Sequence, residues 1–437
     1  MLSVSIIIPV YKSGEKFRKC LASVAAVVKA PHEIIVVSDG ADDDSWKDAE
    51  ELAVQVVRLR NNGGPGRARN FGAKAAKGGI LFFVDSDVTV PPDAVDLVAA
   101  AFQEEPEVAA IIGSYDEQPA EGNFLSQYKN LFHHYVHQQG DSSASTFWGA
   151  CGAIRREVFF EMDGFDERYV VPSIEDIEFG YRLKAGGHKI KLIKNLQIKH
   201  LKRWGVLSLI TTDFHLRAVP WTRLLLRNRE FKNDLNLGLR YRLSLLCTLL
   251  FIASLIGSMF STYFLLGVVF FFACFLILNR SLFGYFYEKR GRRFTAVTAV
   301  WRLIYDLYSA AGFVCGVSLH VSENYHRNLL REGLAMFDSV ALGTAFGTLN
   351  AFLIWGATTL LVLKGGDVVG PHLELLSQYF PGYSVSSPGA LIGACYGFFS
   401  GFAFGYVFAV LRNFLLRIYI AFLRLQIGIS DIQDNLG

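Results

Sequence analysis

The 437-residue chain has no CxxC spacing; its six cysteines, Cys20, Cys151, Cys247, Cys274, Cys315 and Cys395, are scattered. That excludes a compact thiolate metal site and a disulfide framework, and free thiols facing a reducing compartment are expected. A charge excess is lacking too, because 43 Lys and Arg against 40 Asp and Glu leave +3. So balanced a chain is not a nucleic-acid binder driven by phosphate neutralisation. Residues 1–10 have no basic start, and Pro9 interrupts their short apolar run. A cleaved signal peptide is therefore not expected, and the polar half should remain on the cytosolic side. No internal repeat or low-complexity tract stands out.

What the chain has in excess is apolar surface, with 51% hydrophobic residues and 36 Phe. Part of it should lie in lipid. Up to about residue 200, short β-branched runs at 4–10, 33–37, 54–59 and 80–84 alternate with helical patterns. Phe17, Leu21, Val24 and Val28 recur at helical spacing, and Gly63-Gly64-Pro65-Gly66 breaks the chain before a helix over 67–77. This is the pattern of an α/β nucleotide-binding sheet.

After Trp204 the composition changes. Arg217, Arg223, Arg227, Arg229, Lys232, Arg240 and Arg242 make residues 206–242 a basic amphipathic linker suited to an interface. Residues 243–279 are almost uncharged and long enough for a transmembrane hairpin, turning near Gly257-Ser258 or Ser261-Thr262. Residues 296–319 are apolar but carry Arg302 and Asp306. Keeping Arg327, Arg331, Arg412, Arg417 and Arg424 on one side assigns 280–335 to a cytosolic, interfacial or re-entrant segment. Two further spans, at 340–363 and 390–411, and a C-terminal amphipathic helix then complete 336–437. The alternative is a fifth span.

Asp85-Ser86-Asp87 directly follows the apolar run 80–84, which places two carboxylates at the carboxyl edge of a sheet, where open α/β folds bind ligands. Such a pair can share Mg²⁺ or Mn²⁺ with diphosphate oxygens. Alone the triplet also fits a surface turn. Its companions are Pro9-Val10-Tyr11, Ser38-Asp39-Gly40, Gly66-Arg67-Ala68-Arg69 and Ser173-Ile174-Glu175-Asp176. Together, from residue 3 to about 205, they resemble the inverting glycosyltransferases of family 2. The fold class implied is α/β: a GT-A nucleotide-diphospho-sugar transferase domain at 1–205, with a mixed, mostly parallel sheet, followed by an α-helical transmembrane domain.

The resemblance also assigns roles. Pro9, Tyr11, Asp39, Arg69, Asp85 and Ser86 would hold the nucleotide sugar, a UDP-sugar being favoured. Asp85, Asp87 and His200 would ligate the metal. Asp176 would be the general base that takes the acceptor proton. Trp148, Gly149 and Glu175 fall in segments similar to the acceptor side. Bland readings stand beside these: a turn at Asp39-Gly40, a capping box at Ser173-x-x-Asp176 with an exposed Glu178–Arg182 pair, and a core Trp148. His133, His134 and His137 read as a solvated or acceptor-facing helix face without a role. His200 to Trp204 is similar to the Gln-x-x-Arg-Trp motif of processive members, with His in place of Gln.

The function expected is an integral membrane glycosyltransferase with a cytosolic catalytic domain, suited to a bacterial inner membrane. Its acceptor is lipid or lipid-linked, membrane lipids are its surroundings, and no nucleic acid is involved. The alternatives are a processive polysaccharide synthase, or a membrane transport or scaffold protein with a vestigial transferase domain.

Overall fold

The computed structural model describes residues 2–40, 46–52, 54–228, 238–334, 336–365 and 370–436, with the side chains of 324–334, 371 and 420–436 left out. Arg229 and Lys232 of the basic linker, and the side chains of Arg327, Arg331 and Arg424, lie outside it. The chain divides into two compact units, 1–321 and 322–437.

The first unit begins with β1 (Val4–Val10), α1 (Gly14–Val27), β2 (Glu33–Asp39), α2 (Lys47–Glu51), β3 (Gln55–Leu59), α3 (Pro65–Ala75), β4 (Ile80–Val84) and β5 (Val88–Thr89). It continues through α4 (Ala94–Glu104), β6 (Val108–Tyr115), α5 (Phe124–Gln139), β7 (Ser143–Ala144), β8 (Cys151–Arg155), α6 (Arg156–Glu161), α7 (Glu175–Ala185) and β9 (Lys189–His200). The sheet order is β3-β2-β1-β4-β8-β6-β9-β5, with β7 beside β9. β3, β2, β1 and β4 run parallel, whereas β8 lies antiparallel between β4 and β6.

β1 and β4 read as unbroken apolar runs because both sheet faces are covered. Ile6, Ile8 and Phe82 face the α1/α4 layer with Phe17, Leu21, Val98 and Phe102. Their neighbours Ile7 and Phe83 point the other way, into a layer with Ala68, Ala73, Phe159, Phe179 and Leu183 of α3, α6 and α7. All four parallel strands therefore end at the same edge.

β9 is followed by α8 (Val206–Thr211), a π-helical turn at Thr212–Ala218, α9 (Val219–Asn228), α10 (Leu239–Gly257) and α11 (Phe264–Leu334). α11 breaks at Gly291, where φ is +78°. The expected hairpin turn thus falls between Gly257 and Phe264, and segment 296–319 is helical. Its charges face inward: Arg302 pairs with Asp306 at 2.9 Å with both side chains buried. Asp306 also accepts from Ser244 at 3.2 Å and Thr248 at 3.0 Å on α10. A charge inside apolar helices is tolerable only when neutralised and hydrogen-bonded in this way. α5 joins the same core, as Leu131 and Phe132 pack with Trp204, Leu282, Phe286 and Trp301.

In the second unit, α12 (Ser339–Lys364), α13 (Pro371–Glu374) and α14 (Ser387–Leu436) follow. α12 and α14 approach through glycines: a Cβ on Gly401 would lie 2.5 Å from the Phe346 carbonyl, and one on Gly405 2.8 Å from that of Leu342. Among the described residues, four helical stretches are long and apolar enough to cross a membrane: Leu239–Gly257, Phe264–Glu323, Ser339–Lys364 and Ser387–Tyr419.

Candidate active site

A cavity of about 440 Å³ opens at the carboxyl edge of the parallel strands. Pro9, Tyr11, Asp39, Arg69, Asp85, Ser86, Asp87, Trp148, Glu175, Asp176 and His200 all line it. Gly149 does not; it lies directly beneath Arg69, where a Cβ would come 2.7 Å from the guanidinium.

The centre of the site is Arg69, buried on α3. It donates to Asp85 Oδ1 at 2.7 Å and to Glu175 Oε1 at 3.0 Å. The cation therefore ties the end of β4 to the start of α7. Burial raises the Asp85 pKa, with Asp87 adding to the rise and Arg69 opposing it. Burial also pushes Asp87 up, but His200, then Lys202 and Lys16, outweigh it and hold that carboxylate below its ordinary range. His200 Nε2 stands 3.8 Å from Asp87 Oδ2, and its ring stacks on Tyr115 at 4.7 Å.

Asp176 sits in the first turn of α7. Its Oδ2 accepts from Gly149 N–H at 3.1 Å and its Oδ1 from Ile177 N–H at 2.8 Å. Burial, then Glu175, raises its pKa to about 6, against Arg69, the Gly149 N–H and Arg217. The carboxyl is thus poised near neutrality, as a general base requires. The capping box is not formed: Ile174 is the N-cap, and Ser173 Oγ instead donates to the Leu216 carbonyl at 2.8 Å, tying α7 to the π-helical turn. The Glu178–Arg182 pair forms at 2.9 Å but is not on an exposed face, because Glu178 is buried.

Asp39 spends both oxygens on backbone, accepting from Gly63 N–H at 3.0 Å and Gly64 N–H at 2.9 Å. Gly64 needs its lack of side chain, since φ is +89° and a Cβ would lie 2.6 Å from the Tyr169 carbonyl. Ser86 Oγ shares a 2.7 Å hydrogen bond with Ser13 Oγ. The α5 histidines are not solvated: His134 and His137 are buried, and His133 lies between Tyr115 and Trp148.

Sequence reading passed over Tyr115, Lys202, Trp204 and Arg217 as cavity residues. Lys202 and Trp204 were in view within the His200 to Trp204 pentad, where Arg203 turns out to be 73% exposed on its side chain. Arg217 was hidden among the linker cations, and the π-helical turn is what aims it at the site. Asp85, Asp87 and His200 offer oxygen and imidazole donors suited to a hard divalent ion. Among the described residues, however, no three His, Cys, Asp or Glu side chains close around a metal unaided. The set fits an ion that draws its remaining ligands from a bound diphosphate.

The model of the family described as Glycosyl transferase family 2 matches residues 5–162, the stretch carrying Asp39, Arg69, Asp85 and Asp87. This stretch is a family 2 glycosyltransferase domain. It is similar to glycosyltransferase GlyG of Streptococcus pneumoniae, 29% identical over 28% of this chain and 42% of the relative. A poly(ribitol-phosphate) beta-glucosyltransferase of Bacillus spizizenii is 38% identical over 22% of this chain and 16% of its own length. The chain thus spans less than half of either relative. Among solved structures, a mannosyltransferase from Pyrobaculum calidifontis in complex with GDP-Man and Mn²⁺ aligns at 14% identity, covering 71% of this chain and 86% of its own, with a TM-score of 0.47. Asp176, His200 and Arg217 lie beyond the matched stretch of the family 2 domain and complete its cavity.

Proposed function

We propose that the protein transfers a sugar with inversion from a nucleotide-diphosphate donor, a UDP-sugar being favoured, to a membrane-associated, lipid-linked acceptor. The reading rests chiefly on one observation: the acidic pair at the end of β4 and the raised carboxyl of Asp176 face one cavity, where the buried Arg69 ties Asp85 to Glu175, the residue before Asp176. Asp176 takes the proton of the acceptor hydroxyl as its oxygen bonds to the anomeric carbon. The bond from that carbon to the diphosphate oxygen breaks, and the nucleoside diphosphate leaves. Asp85, Asp87 and His200 would hold Mg²⁺ or Mn²⁺, which when bound supplies positive charge for the departing diphosphate. Arg69 keeps Asp85 and Glu175 in register, and Gly149 N–H orients Asp176.

The four long apolar helices support a membrane setting; we place the catalytic domain on the cytosolic side, as in a bacterial inner membrane. The test is a release assay over UDP-, GDP- and TDP-sugars with a membrane lipid extract, run with Mg²⁺, with Mn²⁺ and with chelator, and repeated for Asp176→Asn. Turnover lost in Asp176→Asn while donor binding persists supports the base. Full activity of that variant, or no release from any donor, defeats the reading.

A further inference from the structure

Behind Trp148 lies a second, smaller chamber of about 60 Å³. Trp148, Ser173, Asp176 and Arg217 line both it and the main cavity, so it is a side chamber on the base's side of the site. His133 and His137 of α5 form its inner wall, their rings 4.5 Å apart. Each has a buried Nδ1 that meets no hydrogen-bond partner. Such orphaned polar atoms are rare and ask for a ligand or water.

The chemistry of the wall narrows the ligand. Nδ1 of His137 is buried without a partner, and the ring's charged form is favoured by the Gly113 backbone, which places the N–H on the other nitrogen and leaves Nδ1 an acceptor. The Gly113 backbone is free to do so because the β6–β9 register shifts between Ile112 and Ser114. Burial first, then His137 and Arg217, pushes His133 well below the ordinary imidazole range, and burial pushes His137 down to about 4. Two neutral imidazoles and a carboxylate thus face Arg217. An anion would meet the lone pair of His137 Nδ1 and the Asp176 carboxylate, with Arg217 alone to offset them. A hydroxyl suits the wall, since it can donate to Nδ1 and accept from Arg217. At 60 Å³ the chamber has room for roughly four water-sized groups, enough for a hydroxymethyl or a diol.

We propose that this chamber is an acceptor-specificity site: it takes an uncharged, hydroxylated arm of a sugar or alditol end and so presents the neighbouring hydroxyl to Asp176. The assignment rests on the transferase reading and sharpens it, because it selects a saccharide- or alditol-ended acceptor over a bare polyprenyl phosphate. His133 and His137 are positioning residues in it.

The full chain in nanodiscs is assayed with its preferred sugar nucleotide and three acceptor probes: polyprenyl phosphate, polyprenyl diphosphate carrying one N-acetylglucosamine, and ribitol. The sugar-ended or alditol probe should accelerate donor turnover at least ten-fold, and polyprenyl phosphate should not. His137→Phe keeps the ring volume but removes the acceptor atom; it should raise the acceptor KM at least ten-fold with the donor Kd unchanged. His137→Asn, whose Oδ1 takes about the place of Nδ1, should recover most of that loss. Acceleration by polyprenyl phosphate, none by the hydroxylated probes, or a wild-type acceptor KM in His137→Phe each overturns the proposal. Should His137→Phe fail to fold, the wild-type probe comparison decides. If no donor is hydrolysed at all, the transferase reading falls instead, which is a different result.

Discussion

Replacing Asp176 with Asn should separate catalysis from stability in opposite directions. The carboxyl is raised from 3.8 to about 6, so in the folded protein its charged form is disfavoured relative to the unfolded chain. At about 1.36 kcal/mol per unit, and allowing for the part of the side chain still open to solvent, the ionised group costs about 2 kcal/mol. For a raised carboxyl the contribution to stability is full below pH 3.8 and is lost as pH rises through about 6. At pH 8 the wild type therefore carries a cost that the neutral amide of Asp176→Asn avoids. The variant should unfold about 3 °C higher at pH 8 at a fixed scan rate, with the gap closing near pH 4. Transfer should fall by roughly 10²–10⁴, the range for loss of a general base. In the wild type, kcat/KM should drop ten-fold per pH unit below about 6, because the base must be ionised. An acid limb near pH 4, or an Asp176→Asn protein that unfolds earlier at pH 8, would refute the reasoning.

Gly149→Ala should drive a methyl into the Arg69 guanidinium, 2.7 Å away, and cut turnover about 100-fold with an unchanged circular dichroism spectrum. Asp39→Ala should leave the Gly63 and Gly64 N–H groups unmet, at about 1–3 kcal/mol, and raise the donor KM in steady-state assays. Arg302→Met should strand a buried Asp306 at about 3–5 kcal/mol, seen as a lowered unfolding temperature in detergent, and Arg302→Met with Asp306→Leu should restore it.

β1 and β4 were legible to the residue, because a strand buried on both faces is an apolar run with abrupt ends. The same strands fix where Asp85 and Asp87 emerge, so the donor edge could be read from local order alone. Arg217 and Tyr115 could not, since the π-helical turn and the β6–β9 pairing bring them in from distant stretches. The α5 histidines could be read only as solvated or acceptor-facing, because a helix's own pattern does not reveal what covers it, here Trp148 and the α10–α11 helices, which remove the first alternative. Asp39 shows a further limit, as no local pattern reveals that both its oxygens are taken by two glycine amides.

The shared core of α5 with Trp204, Leu282, Phe286 and Trp301 bears on how the enzyme can be handled. A fragment cut after residue 205 would bare Leu131, Phe132 and Tyr128, each of which contributes roughly 1.5–3 kcal/mol by being buried. Such a fragment should aggregate, whereas one ending near 321 keeps that face covered. The catalytic half is therefore not a passenger on a flexible leash. Its cavity is held by that packing to α10 and α11, so the acceptor of the proposed transfer would have to reach it there.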